Sequence, residues 1–313
     1  MTRPVVVVAG PTASGKSALA LAVAEQFDGV VINADAMQVY GALKVLTARP
    51  GPAEEARVPH RLYGILPADQ LCSAGRWRDL AAAECEAAWA AGRLPIVVGG
   101  TGLYIRALID GLSPVPEVPA AVRAACRERF ARLGNADFHA ALAERDPRMA
   151  ARLDPGNSQR LMRAWEVIEA TGRSLADWQD LPPQGRLDAR VSTLLVMPPR
   201  AALYAACDDR FLGMVERGAV DEVRRLSAEG LDPALPVMKA LGVPELRRHL
   251  AGEIGLDRAV AEAQRATRHY AKRQLTWFRH QLVAQQTVDA KFSESFAERI
   301  FANIRQFLLT ATI

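Results

Sequence analysis

The chain opens on a run of β-branched residues, Val5-Val-Val-Val-Ala9, with no polar position in it. A short, continuous apolar run bounded by turn residues predicts a strand buried on both faces of a parallel sheet. Residues 18–27 predict a helix, and Val30–Asn33 predicts a second buried strand that leads to Asp35. Residues 81–91 are Ala-rich and helical in spacing. Pro95-Ile-Val-Val98 predicts a third strand, followed by Gly99-Gly100-Thr101-Gly102 and a helix from about Leu103. This alternation of strand and helix predicts an α/β fold with a parallel sheet. The proline-rich stretch Ser113–Pro119 breaks the pattern, and residues 120–174 then show helical spacing only. Leu181-Pro-Pro-Gln-Gly185 is a second break, Val191–Met197 is again strand-like, and helices are predicted from there to the end. The expected organisation is an α/β core, 1–112 and 191–313, interrupted by an all-helical insertion at 113–190.

Length and composition narrow the class. A chain of 313 residues, 50% apolar and 24% charged, is an ordinary globular composition with room for about two domains or a core with an insertion. The four cysteines (Cys72, Cys85, Cys126, Cys207) fit no zinc module, and the five histidines stand alone. A reducing cytoplasm and no structural metal are expected. The first apolar run is too short for a signal sequence. The stretch Leu94–Ile105 is interrupted by glycines and too short to span a bilayer, so no membrane segment is expected.

The candidate chemistry begins at Gly10-Pro11-Thr12-Ala13-Ser14-Gly15-Lys16-Ser17, which matches G-x-x-x-x-G-K-[ST] directly after a strand and at the opening of a helix. Backbone N–H groups of such a loop point at an anion, and the helix N-terminus adds partial positive charge. Lys16 supplies a full charge, and the Ser17 hydroxyl is the candidate Mg²⁺ ligand. The site is therefore expected to hold a diphosphate or triphosphate. A nucleoside-triphosphatase would place an acid at the end of another strand to help hold the metal. Here the third strand ends in Gly-Gly-Thr, and the carboxylate ends the second strand at Asp35. Ligands of open parallel sheets lie beyond the carboxyl ends of the strands. Residues 10–17, Asp35 and Thr101 are thus expected to converge on one crevice. A helix cap or loop acid is the plain alternative for Asp35, and a turn residue for Thr101.

Charge gives a second clue. The net charge is only +4, yet of 39 basic residues just five are Lys and the rest Arg. Arg forks suit phosphate oxygens and stack on bases, although a compositional bias would give the same count. The arginines are locally dense. Residues 263–288 contain no acid, and Arg265, Arg268, Lys272 and Arg279 share a helical stripe beside Ala271, Leu275, Phe278 and Leu282. Arg123, Arg127, Arg129 and Arg132 form one cluster in the insertion, and Arg145, Arg148, Arg152, Arg160 and Arg163 another. Singly each reads as a solvated helix face. Beside a phosphate crevice they together suit an RNA backbone.

Several stretches carry a family resemblance: GPTASGKS at 10–17, DAMQVY at 35–40, TARP at 47–50, PHRL at 59–62, GGTGLY at 99–104, GLSP at 111–114, DPGNSQRLMRAWEV at 154–167 and RHYAKRQLTWFR at 268–279. In this order they resemble the bacterial tRNA dimethylallyltransferases, also called tRNA isopentenyltransferases, over nearly the whole chain. The resemblance implies transfer of a dimethylallyl group from dimethylallyl diphosphate to N6 of the adenosine just 3′ of the anticodon, with Mg²⁺ and without ATP. It implies a P-loop kinase-like core, a helical insertion gripping the anticodon arm, and a monomer. Asp35 would be the base, Thr101 would orient Asp35 or the amine, and Lys16 and Arg210 would hold the diphosphate. An exposed partner of Asp208 or Asp209 is the plain alternative for Arg210. The implied tRNA-facing set is Asp35, Ala36, Met37, Gln38, Thr101, Arg123, Gln159, Arg160, Leu161, Met162 and Arg163. Trp165, on the same helix, reads as core. The chain departs from the family pattern at Ala36 (usually Ser), Arg49 (usually Lys) and Val243 (usually Tyr). A P-loop kinase of a small molecule or nucleotide, and a non-enzymatic RNA-binding module, are the rival readings.

Overall fold

The structure, a computed structural model, describes residues 3–290 and 294–311. Its elements in chain order are β1 (Pro4–Ala9), α1 (Lys16–Gln26), β2 (Gly29–Asn33), α2 (Pro52–Glu55), β3 (His60–Arg61), α3 (Ala74–Ala90), β4 (Leu94–Gly99) and α4 (Gly102–Ile109). There follow α5 (Ala120–Arg145), α6 (Pro147–Ala150), α7 (Ser158–Thr171) and α8 (Leu175–Gln179). The chain continues as β5 (Arg190–Val196), α9 (Arg200–Glu216), α10 (Ala219–Ala228), α11 (Val243–Leu250), α12 (Leu256–Gln281), β6 (Gln286–Val288) and α13 (Glu294–Ala311).

The six strands form one sheet in the order β3-β2-β4-β1-β5-β6, and every neighbouring pair is parallel. The apolar runs explain this. Val5, Val7 and Ala9 of β1 pack into one cluster, with α3, α4 and α9–α12; Val6 and Val8 pack into another, with α1 and α13. Strands apolar at every position are thus buried on both faces. The sheet is wider than the sequence pattern predicts. β3 and β6 are edge strands of two and three residues, too short to show a period, and β6 lies where only helix is predicted. Gln285 just before β6 pins that edge: its Oε1 accepts from the Thr193 N–H at 2.6 Å.

The chain divides into two compact units, Met1–Ile109 with Leu187–Ile313, and Asp110–Arg186. The second is all-helical. Its core sets Phe138 against the rings of Phe130 and Trp165, at centroid distances of 5.1 and 5.4 Å. The backbone of α5 leaves the helical region at Gly134 (φ 71°, ψ −177°), dividing it into two segments. Asp146 begins α6 by accepting from the Met149 N–H at 2.9 Å, with Pro147 in the first turn.

Trp77 anchors the larger core. It is fully buried, stacks on Tyr104 at 4.7 Å, and donates its indole N–H to the Asn33 carbonyl at 2.8 Å. Trp77→Ala removes both the ring and the hydrogen bond. It is expected to lower unfolding free energy by about 3–5 kcal/mol, read from urea denaturation.

Candidate active site

The phosphate loop is built as an anion cradle. Gly15 adopts left-handed backbone (φ 89°) and α1 starts with no side-chain cap, which leaves its first N–H groups without side-chain acceptors. Ala13, with φ 61°, is a non-glycine residue in the same region, a strained conformation of the kind found at ligand loops. The Ser14 hydroxyl is fully buried and has no hydrogen-bond partner. Lys16 folds back over the loop, its Nζ donating to the Pro11 carbonyl at 3.1 Å. Desolvation pulls the Lys16 amine down to about 8, against an opposing pull from the Asp35 charge and with a further lowering by Arg210. Arg210 is itself lowered by burial and supported by Asp35. Lys16, Asp35 and Arg210 therefore share one partly buried neighbourhood. Asp208 is not the partner of Arg210; it is held by Arg268 at 2.5 Å.

Asp35 sits just past β2. One carboxylate oxygen accepts from the Met37 N–H at 2.9 Å, and its own N–H is held by Asn33 Oδ1 at 2.8 Å. Asn33 is fully buried, and its amide also donates to the carbonyls of Asp35 and Leu62, both at 3.1 Å. Thr101, beyond β4, accepts the Ala36 N–H on its hydroxyl at 2.9 Å. The expected convergence of the loop, Asp35 and Thr101 is thus seen in the structure, because these strands run in parallel and end on the same side.

Four site residues escape sequence reasoning. Asn33 orients Asp35. Tyr63 and Tyr270 both have phenols pushed upward by burial and by the Asp35 charge, and Tyr270 lies beside Thr101. Gln274, buried on α12, accepts from the Thr12 N–H at 2.9 Å and donates to the Gly100 carbonyl at 2.8 Å. A polar residue closing an apolar strand was the available signal for Asn33. Tyr270, Gln274 and Trp277 lie at i, i+4 and i+7 beside the apolar stripe of α12, a helix face whose partner no local pattern reveals.

Other predicted residues are engaged differently. The Gln38 amide donates to the Thr47 and Ala48 carbonyls at 2.9 and 3.1 Å, which commits its donors to holding the TARP loop. That loop is also fixed by buried Glu222, which accepts from the N–H groups of Lys44, Val45 and Leu46 at 2.6–2.9 Å. Arg49 donates to the Tyr40 and Gly41 carbonyls at 3.1 and 3.2 Å, and Val243 is a fully buried core residue.

In the helical unit, Leu161 corrects the expectation. It is fully buried in that unit's core, so its side chain presents no surface to RNA. Met162 is partly buried against the same core, Gln159 and Arg160 are exposed, and Arg163 pairs with Glu166 at 3.8 Å. Arg123 donates through two nitrogens to the Val118 carbonyl at 3.1 and 2.7 Å. Trp165 is a core residue, as expected, with the Arg129 guanidinium 4.4 Å above its ring. The second Arg cluster is largely neutralised by acids later in the chain: Arg145 pairs with Glu169, and Arg148 and Arg152 with Asp180.

A phosphate loop opening the first helix of a parallel sheet, with a carboxylate at the next strand end, defines an α/β protein of P-loop-like fold. A family model described as IPP transferase matches residues 38–281, and one described as isopentenyl transferase matches residues 3–67. The chain is 60% identical over 310 residues to a tRNA dimethylallyltransferase of Paramagnetospirillum magneticum, covering 99% of this chain and 98% of that one. Full-length tRNA isopentenylpyrophosphate transferase from Bacillus halodurans has the same fold at TM-score 0.70 and 30% identity, covering 100% of this chain and 98% of its own. A eukaryotic dimethylallyltransferase acting on tRNA matches at TM-score 0.84 and 25% identity, covering 99% of this chain and 80% of its own. The chain belongs to the IPP transferase family. These likenesses support prenyl transfer and not the kinase alternative.

The Lys16 environment predicts a pH dependence. The free amine is cationic below about pH 8, and bound diphosphate favours the cation. The ratio of wild-type to Lys16→Met affinity for inorganic pyrophosphate, in which the ligand's own titration cancels, should be greatest below that pH and fall above it, approaching tenfold per pH unit. Calorimetric titration of both proteins across this range checks it.

Proposed function

We infer that this chain is a tRNA dimethylallyltransferase, which transfers a dimethylallyl group to an adenosine of tRNA. The donor we propose is dimethylallyl diphosphate, and the acceptor is N6 of the adenosine just 3′ of the anticodon. One observation supports the reading: Lys16 of the phosphate loop, the Asp35 carboxylate and Arg210 interact within one partly buried site.

The chemistry follows from that arrangement. As the allylic C–O bond breaks, the electron pair leaves with the diphosphate and negative charge grows on its bridging oxygen. In this reading Lys16, Arg210 and the loop N–H groups stabilise that growing charge, which is the condition for catalysis. The adenine amine is a weak nucleophile because its lone pair is delocalised. Asp35, with one oxygen held by Met37 N–H, can accept the amine proton on the other as the C–N bond forms. Thr101 holds the Ala36 N–H and so fixes the backbone beside Asp35.

Magnesium fits in a limited way. Among the described residues no group of His, Cys, Asp and Glu is placed to hold a metal, while the Ser17 hydroxyl is exposed at the start of α1. Mg²⁺ would be held by Ser17, water and the diphosphate, the usual pattern for this ion, and would neutralise charge on the leaving group. No helix among the described residues is long and apolar enough to cross a membrane. We propose a cytoplasmic monomer. In the helical unit, Arg127, Arg132 and Arg160 are exposed and make no ion pair among the described residues, which makes them the cations best placed to meet RNA phosphate.

Purified protein, unmodified tRNA and dimethylallyl diphosphate should yield prenylated adenosine by nucleoside mass spectrometry. Asp35→Asn should cut kcat by about 10²–10⁴-fold. Absence of product with the wild-type chain, or full activity of the variant, would sink the reaction or the base assignment respectively. Arg160→Gln should weaken tRNA binding and reduce the salt slope by about one counterion, while Arg148→Gln, at an arginine already paired with Asp177 and Asp180, should leave the slope unchanged.

A further inference from the structure

Helix α12 touches the β4–α4 turn at three successive points. Tyr270 lies beside Thr101, Gln274 donates to the Gly100 carbonyl at 2.8 Å, and Trp277 packs against Gly102. A Cβ at Gly102 would come within 2.2 Å of the Trp277 ring, so only glycine permits this approach. Of the three, Gln274 alone is hydrogen-bonded to the phosphate loop as well, through the Thr12 N–H at 2.9 Å. Its side chain is buried, and both ends of its amide are occupied.

We propose that Gln274 is a positioning residue for the transfer reaction: its amide fixes the separation between the loop that holds the diphosphate and the turn that carries Thr101. The proposal rests on the prenyl-transfer reading for its kinetic consequence. Its structural basis is a continuous chain of hydrogen bonds. From Thr12 the link runs through Gln274 to Gly100. The next residue, Thr101, donates its N–H to the Ala34 carbonyl at 3.2 Å and takes the Ala36 N–H on its hydroxyl at 2.9 Å. Ala34 and Ala36 flank Asp35. The donor side and the base are therefore tied through one side chain.

Residue chemistry explains why glutamine is needed. The position requires an acceptor at one end and a donor at the other in a planar group of fixed length. Glu offers two acceptors, and Met offers neither. The bond also turns the Thr12 N–H toward Gln274 and away from the anion. Gln274 thus acts on geometry and adds nothing to diphosphate binding. A displacement of about 1 Å between reacting groups costs on the order of 10²-fold in rate.

Gln274→Ala and Gln274→Glu test this, with folding checked by a cooperative thermal transition. Gln274→Ala should lower kcat by roughly 10- to 100-fold while direct binding of dimethylallyl diphosphate changes by less than about threefold. In Gln274→Glu, the introduced carboxyl can donate to the Gly100 carbonyl only when protonated. Its kcat relative to wild type should therefore recover as pH falls, a signature that generalised loosening would not give. Wild-type kcat in a folded Gln274→Ala, a deficit in Gln274→Glu that is flat with pH, or equal losses in kcat and affinity would overturn the assignment. A readout without turnover separates this from the functional reading. Inorganic pyrophosphate should slow hydrogen exchange of the 99–104 turn in wild type and lose that effect in Gln274→Ala. Undiminished protection in the variant overturns the proposal whatever the wild-type reaction is. If Gln274→Ala does not fold, the pH and exchange series on Gln274→Glu decides.

Discussion

Two partly buried cations beside one carboxylate set the terms for this molecule. Lys16 and Arg210 are both pulled toward neutrality by desolvation, and Asp35 opposes that pull on each. Burying like charges together is costly unless an anion joins them. The loop around them is shaped for that anion, with uncapped N–H groups at α1, a buried and unpartnered Ser14 hydroxyl, and left-handed backbone at Ala13 and Gly15. The diphosphate proposed as donor would complete the charges and donors of this site. When that diphosphate is the leaving group, the same imbalance favours the transition state, where its charge is greatest.

Holding such a site open requires rigid surroundings, and the core supplies them from several directions. The sheet brings β1, β2 and β4 to a common edge. Trp77 pins the Asn33 carbonyl, and Asn33 pins Asp35. Glu222 collects three N–H groups of the loop before Thr47, and Gln38 and Arg49 secure its carbonyls. Most of these are buried side chains serving backbone groups that irregular segments leave unpaired. Irregular backbone at the carboxyl ends of the strands is tolerated here because neighbouring helices satisfy it.

The helical unit shows how tertiary pairing edits a charge pattern. Read along the chain, the run from Arg145 to Arg163 is a basic block. In the fold, Glu166, Glu169, Asp177 and Asp180 return to it, and Arg145, Arg148, Arg152 and Arg163 become ion-paired. Leu161, inside the same sequence motif, belongs to the core. Of the clustered arginines, Arg127, Arg132 and Arg160 are exposed with no ion pair among the described residues, fewer than the sequence implies.

The long strands, the phosphate loop, Asp35 and Thr101 were all legible in the sequence. Apolar β-branched runs followed by glycine turns leave few structural alternatives, and each of these features is local. The edge strands β3 and β6 were not, because two or three residues carry no period. Gln274 was beyond reach for a different reason. Its bonds to Thr12 and Gly100 span 262 and 174 positions, and nothing near residue 274 encodes them. By itself the sequence determined the phosphate-loop motif and which acid stands beside it, since loop chemistry and strand ends are properties of neighbouring residues. Only the tertiary structure decided which buried side chains hold that acid in place and which arginines stay free, since burial and pairing depend on what the fold brings back from far along the chain.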